Sequence, residues 1–497
     1  MPSPLRHPPA IAIAIAIAFY MDVATTAGIT DDNPSLAPFA LATAPACERP
    51  STDTLIEQLD DAREHFDIPA YGLTLVAGDD TVFSGARGVA NLESGQPVNQ
   101  HTRFRIGSIT KAFTSLAVVL AARDGDLSLD DRLDSLLDPV PMTSAWAQTH
   151  PVKLAQLLEH TSGLTDLTWD EMQHSDPAPL SLEDALTQSA VNRVARWPSG
   201  EHSSYSNAGS GIAARALEVH TGSSYEEFVA RRIFEPLGMN TASILLDDST
   251  RAHLATGYDT DAKSVIPYWH MLYRPFGAIN VTTDDMAPFL KLLLSEGRLE
   301  GKQWLDTATV QRMETPTTTL SARAGLEYGY GLGVYSWYRN GWLFHGHGGD
   351  GDGYLAHFGY NRDFEMAYFV VITAFRHNAL RRMRSTVENY IACMVNPYRP
   401  PRATLSAEER ATLVGDYKQV TWRFGSGTKK RLQVIEKNEQ LYTVHDGGVP
   451  RPLVPVTTSF FRRPYQTAAT IAIIPDSTGT LVLQGDIGNF RKLGASE

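Results

Sequence analysis

Arg105 to Ser115 reads RIGSITKAFTS. Ser108 and Lys111 stand one helical turn apart, and apolar residues recur at Ile109, Phe113, Leu116 and Leu120 before Gly125. The spacing predicts a helix that opens near Ser108, carries one apolar stripe and closes at Gly125. Ser108 and Lys111 then share a face. Two readings compete. In one, the serine caps the helix and the lysine is solvated. In the other, Ser108 is a nucleophile, Lys111 helps to take its proton, and the free N–H groups of the helix start meet a developing oxyanion. The motif alone does not decide, because a chain of this length holds about one Ser-x-x-Lys by accident. A second copy, Ser426 to Lys429, falls in a glycine-rich turn where no helix can stack the pair.

Two further stretches carry chemistry. SYSNAGSGIAARALE places Tyr205, Ser206 and Asn207 just ahead of another helical pattern. A tyrosine and an asparagine two apart can face one way in an extended turn, the first relaying a proton and the second holding a substrate carbonyl. Tyr338-Arg339-Asn340 has the same spacing, but Asn340-Gly341 is explained as a two-residue hairpin turn. The third stretch is FHGHGGDGDGYLAHF. His-x-Gly occurs at His220, His347, His357 and His445. His220 ends a helix, His357 sits inside a strand and His445 lies in a later β segment. Only His347-Gly348-Gly349 forms a glycine-rich strand end that a substrate backbone can approach. A metal reading of His345 with His347 lacks a partner at recognisable spacing, and no metal or cofactor is expected.

Strand patterns lie at both ends of this region, around AYGLTLVAGDDTVFSGARGVA and from Tyr328 to Ala374, with helical patterns from Ile109 to about Thr318. Leu55, Leu59 and Phe66 mark one side of an earlier helix, and a last helix spans about Asn378 to Met394. The fold class expected is α/β in the α+β sense: an antiparallel sheet flanked by helices, with an inserted helical lobe. After NPYRPPR, short alternating segments with frequent turns predict a separate all-β barrel or sandwich. The domains expected are a signal peptide over 1–27, a disordered linker over 28–50, an α+β domain over 51–396, a linker over 397–402 and a β domain over 403–497.

The chain has 497 residues and a net charge of −13, with no basic stripe. That argues against a nucleic-acid partner. The apolar run from Ala10 to Met21 is too short to span a membrane and suits a signal peptide, so the protein is expected to be exported, periplasmic or secreted.

Taken together, Ser108-x-x-Lys111, Tyr205-x-Asn207 and His347-x-Gly349, in that order, with LLEHTSGL (157–164), WPSGEHSSYSN, RIFEPLGMNTAS and PFGAINVTTDDMAPFLKLLL, resemble the serine β-lactamase and penicillin-binding superfamily. Class C β-lactamases, D-alanyl-D-alanine peptidases and their esterase relatives are the nearest in pattern. The resemblance covers roughly Ile68 to Met394 and implies the β-lactamase/transpeptidase-like fold. It implies that Ser108 is acylated, that Lys111 and Tyr205 share the acid and base work, and that Asn207 contacts the substrate amide. His347 would stabilise a substrate carboxylate or the tyrosine's charge. Gly348 and Gly349 would line the substrate strand, and the N–H groups of Ser108 and Asp350 would form the oxyanion hole. Histidine stands at position 347 where β-lactamases usually have lysine. That weakens a claim of antibiotic hydrolysis and leaves peptides with D-residues as the first substrate class, small esters as the second. A catalytically idle binding protein of the same fold is the alternative from another class.

The C-terminal segment is similar to the lipocalin-like barrel appended to some family peptidases, and is the expected surface for any homo-oligomer. Its TWRFGSGTKKR stretch, Thr421 to Arg431, reads either as an exposed hairpin, which loop base rates favour, or as a turn that reaches the cleft. The family fold packs its first and last helices side by side. This implies a bridge between Cys47 and Cys393, the chain's two cysteines, against the plainer reading of two unrelated thiols.

Overall fold

The computed structural model describes residues 49–172, 180–188, 190–351, 353–393, 397–424 and 430–494. The expected signal peptide, residues 28–48 of the linker, Cys47 and the second Ser-x-x-Lys at Ser426 lie outside the described residues. No described helix is long and apolar enough to cross a membrane.

Ser51 opens the first helix, α1 (Thr52–His65), by accepting from the Thr54 N–H, and Leu55, Leu59 and Ala62 turn inward. Phe66, expected on that apolar side, is instead the C-cap and only half-buried. A hairpin follows, β1 (Ala70–Ala77) and β2 (Asp80–Asn91), with a short edge strand β3 (Gln96–Pro97). The chain then enters the helical region, where α2 (Thr110–Asp124), α3 (Asn207–Thr221) and α4 (Thr283–Leu294) matter most for the site. It returns as β4 (Tyr335–Arg339), β5 (Trp342–Gly351), β6 (Tyr354–Asn361) and β7 (Met366–Ile372), and closes with α5 (His377–Ile391). The turn between β4 and β5 has positive φ at both Asn340 and Gly341, as a two-residue hairpin requires.

These strands form one antiparallel sheet in the order β3-β2-β1-β7-β6-β5-β4, so the N-terminal hairpin closes on the C-terminal strands. Alternation sorts the central strands between two cores. Phe358, Tyr360, Phe369 and Val371 face the helical lobe. Leu355, Tyr368, Val370 and Ile372 face α1 and α5. Both faces are covered, which is why β6 and β7 are buried along their whole length.

The helix predicted from the opening stretch differs from expectation in two ways. Ser108 lies in a single 3₁₀ turn, Gly107–Ile109, and the α-helix starts at Thr110. The helix also has no solvent face until its last residues: Thr110 to Ala121 are buried on every side. Its small residues, Ala112, Ser115, Ala117 and Ala121, let neighbouring elements approach all round. Gly125 ends it in the left-handed conformation at φ 88°, as the sequence requires.

The C-terminal strands close into an eight-stranded barrel, from Gly415–Gln419 to Gly488–Lys492, with each strand paired to its neighbours in sequence. The barrel is joined to the α+β domain by more than the linker. Leu326 and Tyr328 pack with Ala472 and Ile474 in one apolar cluster. Gln484, inside the barrel wall, donates to the carbonyl of Glu201 at 2.8 Å and accepts from the N–H of Ser321 at 2.9 Å.

Cys393, just past α5, is disulfide-bonded. The chain has one other cysteine, Cys47. Intact mass after alkylation is therefore expected to show no modified thiol in the native protein and two after reduction. In the chain-entropy model such a closure adds up to about 5 kcal/mol. Two alkylated thiols without reductant would contradict it.

Candidate active site

Two glycines bring the turn that bears Ser108 and strand β5 together. Gly107 has φ 53°, and a Cβ there would lie 2.6 Å from the Asp350 carbonyl oxygen. A Cβ on Gly349 would lie 1.9 Å from the Ile106 carbonyl oxygen. Any side chain at either position would force the turn and the strand apart. With both positions bare, the turn that bears Ser108 sits directly against the end of β5.

Ser108 Oγ is 3.0 Å from Lys111 Nζ. The same amine donates to the Phe276 carbonyl at 2.8 Å, and the PFGAIN segment thus fixes the lysine from the other side. Lys111 is 2% exposed. Burial pushes its pKa well below the ordinary lysine range, and Arg423 pushes in the same direction against Asp166 and Asp350. The Tyr205 ring lies 4.9 Å from Lys111 Nζ, and its hydroxyl is hydrogen-bonded to Ser108. Burial raises the tyrosine's pKa, so its phenol keeps its proton at neutral pH. The site therefore pairs an amine that readily gives up charge with a phenol that does not acquire one.

Asn207 is the first residue of α3 and is buried. Its backbone N–H donates to Asp166 Oδ1 at 2.6 Å, and its Nδ2 donates to Asp166 Oδ2 at 3.4 Å. That bond settles the amide's orientation. Asn207 Oδ1 is left buried without a hydrogen-bond partner among the described residues. A buried acceptor left open in this way suits an incoming N–H donor.

His347 is buried on β5 and its Nε2 is 2.7 Å from the Tyr330 hydroxyl. Burial, with Lys111 nearby, pushes its pKa down to about 3, so it is uncharged at neutral pH. In that form its imidazole offers a hydrogen bond and no ionic attraction. His345 bonds Ser336 at 3.2 Å, a partner distinct from that of His347. No metal-holding cluster occurs among the described residues.

One cation at the site comes from the C-terminal segment. Arg423 donates through Nε to Asp166 Oδ2 at 2.6 Å, and its guanidinium lies 4.6 Å from the centre of the Tyr205 ring. Ser204 donates to the Trp422 carbonyl at 3.3 Å, and Asn489 donates to the Ser203 carbonyl at 3.0 Å. The barrel thus holds the residues leading into Tyr205. The exposed-hairpin reading favoured by loop base rates is overturned for Trp422 and Arg423, because a buried carboxylate draws the arginine inward. Gly425 to Lys429 lie outside the described residues.

Asp166 and His160 were not singled out in the sequence, and Arg423 was read only as part of the TWRFGSGTKKR stretch. Asp166 and Arg423 are 257 positions apart and no local pattern announces such a pair. His160 stacks on Tyr205 with ring centres 4.1 Å apart and accepts from the Ser206 N–H through Nδ1. It lies within LLEHTSGL, so a signal existed, but the phrase names no chemistry for its histidine. Burial pushes the pKa of His160 well down, with Lys111, His347 and Arg423 adding to the effect.

The Beta-lactamase family matches residues 53–392. Penicillin-binding protein 4 of Amycolatopsis lactamdurans is 28% identical over 294 residues, covering 56% of this chain and 75% of that protein. A D-aminopeptidase of Brucella anthropi is 29% identical over 275 residues, covering 54% of this chain and 49% of that enzyme, about half its length. Among solved structures, the octameric penicillin-binding protein homologue from Pyrococcus abyssi superposes with a TM-score of 0.58 at 21% identity, over 88% of this chain and 99% of that one. At that identity the likeness speaks for the fold.

Proposed function

Because the chain belongs to the beta-lactamase family, we propose that it is a serine hydrolase that cleaves amide or ester bonds through an acyl-enzyme on Ser108. The observation that carries this is the 3.0 Å approach of Ser108 Oγ to the buried Lys111 amine, beside a Tyr205 hydroxyl that bonds the same serine. Ser108 Oγ attacks the carbonyl carbon and its proton passes to Lys111 Nζ, which burial keeps available as a base. The N–H groups of Ser108 and Asp350 hold the oxyanion. Tyr205, still protonated, delivers a proton to the leaving nitrogen or oxygen and is restored from Lys111. Water then attacks the acyl ester by the reverse relay.

Peptides with D-residues are the first substrate class and small esters the second. Sequence likeness to a D-aminopeptidase and a penicillin-binding protein supports that order. Asn207 Oδ1 would accept the N–H of the scissile amide's neighbour, and Arg423 would meet a substrate carboxylate, since His347 carries no charge to do so. An exported enzyme would meet such peptides outside the cytoplasm. The test is a panel of D-peptides, nitrocefin and p-nitrophenyl esters. Arg423→Ala is expected to lower kcat/KM for carboxylate-bearing peptides roughly tenfold more than for neutral esters, the scale of a charge-assisted hydrogen bond. Equal losses on both would remove the arginine from substrate recognition and leave it a support for Asp166.

A further inference from the structure

Behind the catalytic strand, on the face away from the helical lobe, lies a row of buried polar side chains that the acyl-transfer steps above do not use. It starts at Glu388 on α5, whose side chain has no exposed surface. Arg384 Nε donates to it at 2.6 Å, Arg339 Nε at 2.7 Å and Trp337 Nε1 at 2.9 Å. Burial alone would raise the pKa of Glu388, but Arg384 and Arg339 outweigh it and hold the carboxyl below its usual range. Glu388 is therefore ionised and can only accept.

That fixes every proton further along the row. The Tyr368 hydroxyl lies 2.8 Å from Glu388 Oε1 and must donate to it. The Tyr368 oxygen then accepts from His357 Nδ1 at 3.0 Å. His357 is neutral, because burial pushes its pKa well down, with Arg384 adding to the effect. With its one proton on Nδ1, its Nε2 accepts from the Tyr335 hydroxyl at 3.1 Å. The oxygen of Tyr335 in turn accepts from the backbone N–H of Gly348. Each donor in such a chain strengthens the next acceptor.

The place where this row ends bears on the site. The β4–β5 ladder stops at Tyr335 and Gly346. Beyond it, β5 turns toward the Ser108 turn, where Gly349 meets the Ile106 carbonyl. Backbone groups point to the same edge at every second residue of a strand, so the N–H of Asp350 follows that of Gly348 along one edge. Resting on the hydrolase reading given above, we propose that Tyr335 is a positioning residue: oriented by His357, Tyr368 and Glu388, its hydroxyl takes the place of a strand partner at Gly348 and thereby aims the Asp350 N–H at the oxyanion.

The bland account is a buried network that only stabilises the fold. Tyr335→Phe separates the two, since it removes one oxygen and no bulk. The role predicts that Tyr335→Phe lowers kcat on a p-nitrophenyl ester about tenfold with KM within about twofold, a displacement effect smaller than deleting an oxyanion donor outright. Binding of phenylboronic acid, whose tetrahedral adduct carries the oxyanion charge, should weaken about tenfold as well. Exchange of the Gly348 amide hydrogen should quicken in the same variant, whatever the substrate. His357→Leu should reproduce these changes, and His357→Gln, which can both accept and donate, should restore part of them. Unchanged boronate affinity and unchanged exchange at Gly348 in Tyr335→Phe would overturn the proposal, even if the variant melted at a lower temperature. Faster exchange with unchanged boronate affinity would overturn it too, since the strand would be held without consequence for the oxyanion. Absence of any boronate adduct in the parent protein would sink the hydrolase reading and this role with it. A parent protein that forms the adduct, with Tyr335→Phe binding it equally well, would sink this role alone and leave the hydrolase reading standing.

Discussion

Replacing Ser108 by alanine is expected to lower turnover by at least about 10⁴-fold while leaving the protein folded. Removing a nucleophile that acts as one unit with its base costs that much or more, because no other group can form the covalent intermediate. The loss should appear in kcat, and substrate should still bind. Little stability should be lost, since Ser108 sits in a single 3₁₀ turn without a side-chain capping bond and alanine fits its backbone. Steady-state kinetics and a melting curve check this. Turnover within about tenfold of the parent would show that the chemistry runs elsewhere, because general acid–base help alone contributes more than that.

The second large effect is at Lys111. Lys111→Met keeps most of the side chain's volume and removes the base, so activity should fall about 10³-fold. The melting temperature should hold or rise, because a buried amine that burial discharges is replaced by an apolar group. The sign of the pH dependence follows from the same burial. The active form needs Lys111 uncharged, and its pKa is lowered, so kcat/KM should rise with pH along a limb that lies below the ordinary lysine range. It should not wait for the alkaline region. Tyr205, whose pKa is raised by burial, should add no falling limb until strongly alkaline pH. An acidic limb centred near the value of a free lysine would contradict the base assignment. An unchanged pH profile in Lys111→Met would contradict it as well.

The parts of the molecule that were legible in the sequence are those with local patterns. Ser108 and Lys111 are separated by one turn, Tyr205 and Asn207 by one residue, and the His347 strand by its glycines. Each motif announces its own geometry, and the fold brings the three together. The helix at Thr110 was legible in its end at Gly125 but not in its burial, because one stripe of large residues hides how small the others are. Asp166 was not legible at all, and Arg423 only as one cation of a stretch that could reach the cleft. Their pairing depends on where a separate barrel docks, and docking is written in scattered residues such as Gln484, Asn489 and Leu326 rather than in any run. The charge state of His347 was not legible either. A side chain's charge depends on its burial and its neighbours, and a sequence lists neither. His357 was read as an ordinary strand residue, which is right for its backbone and silent about its two tyrosine partners.

The proposed chemistry turns on acylation of Ser108. Mass spectrometry of the intact protein after reaction with a fluorophosphonate, followed by peptide mapping, tests it most directly. One adduct is expected, located at Ser108, absent in Ser108→Ala and slow to form in Lys111→Met. An adduct on Ser426, or no adduct on the folded parent protein, would contradict it.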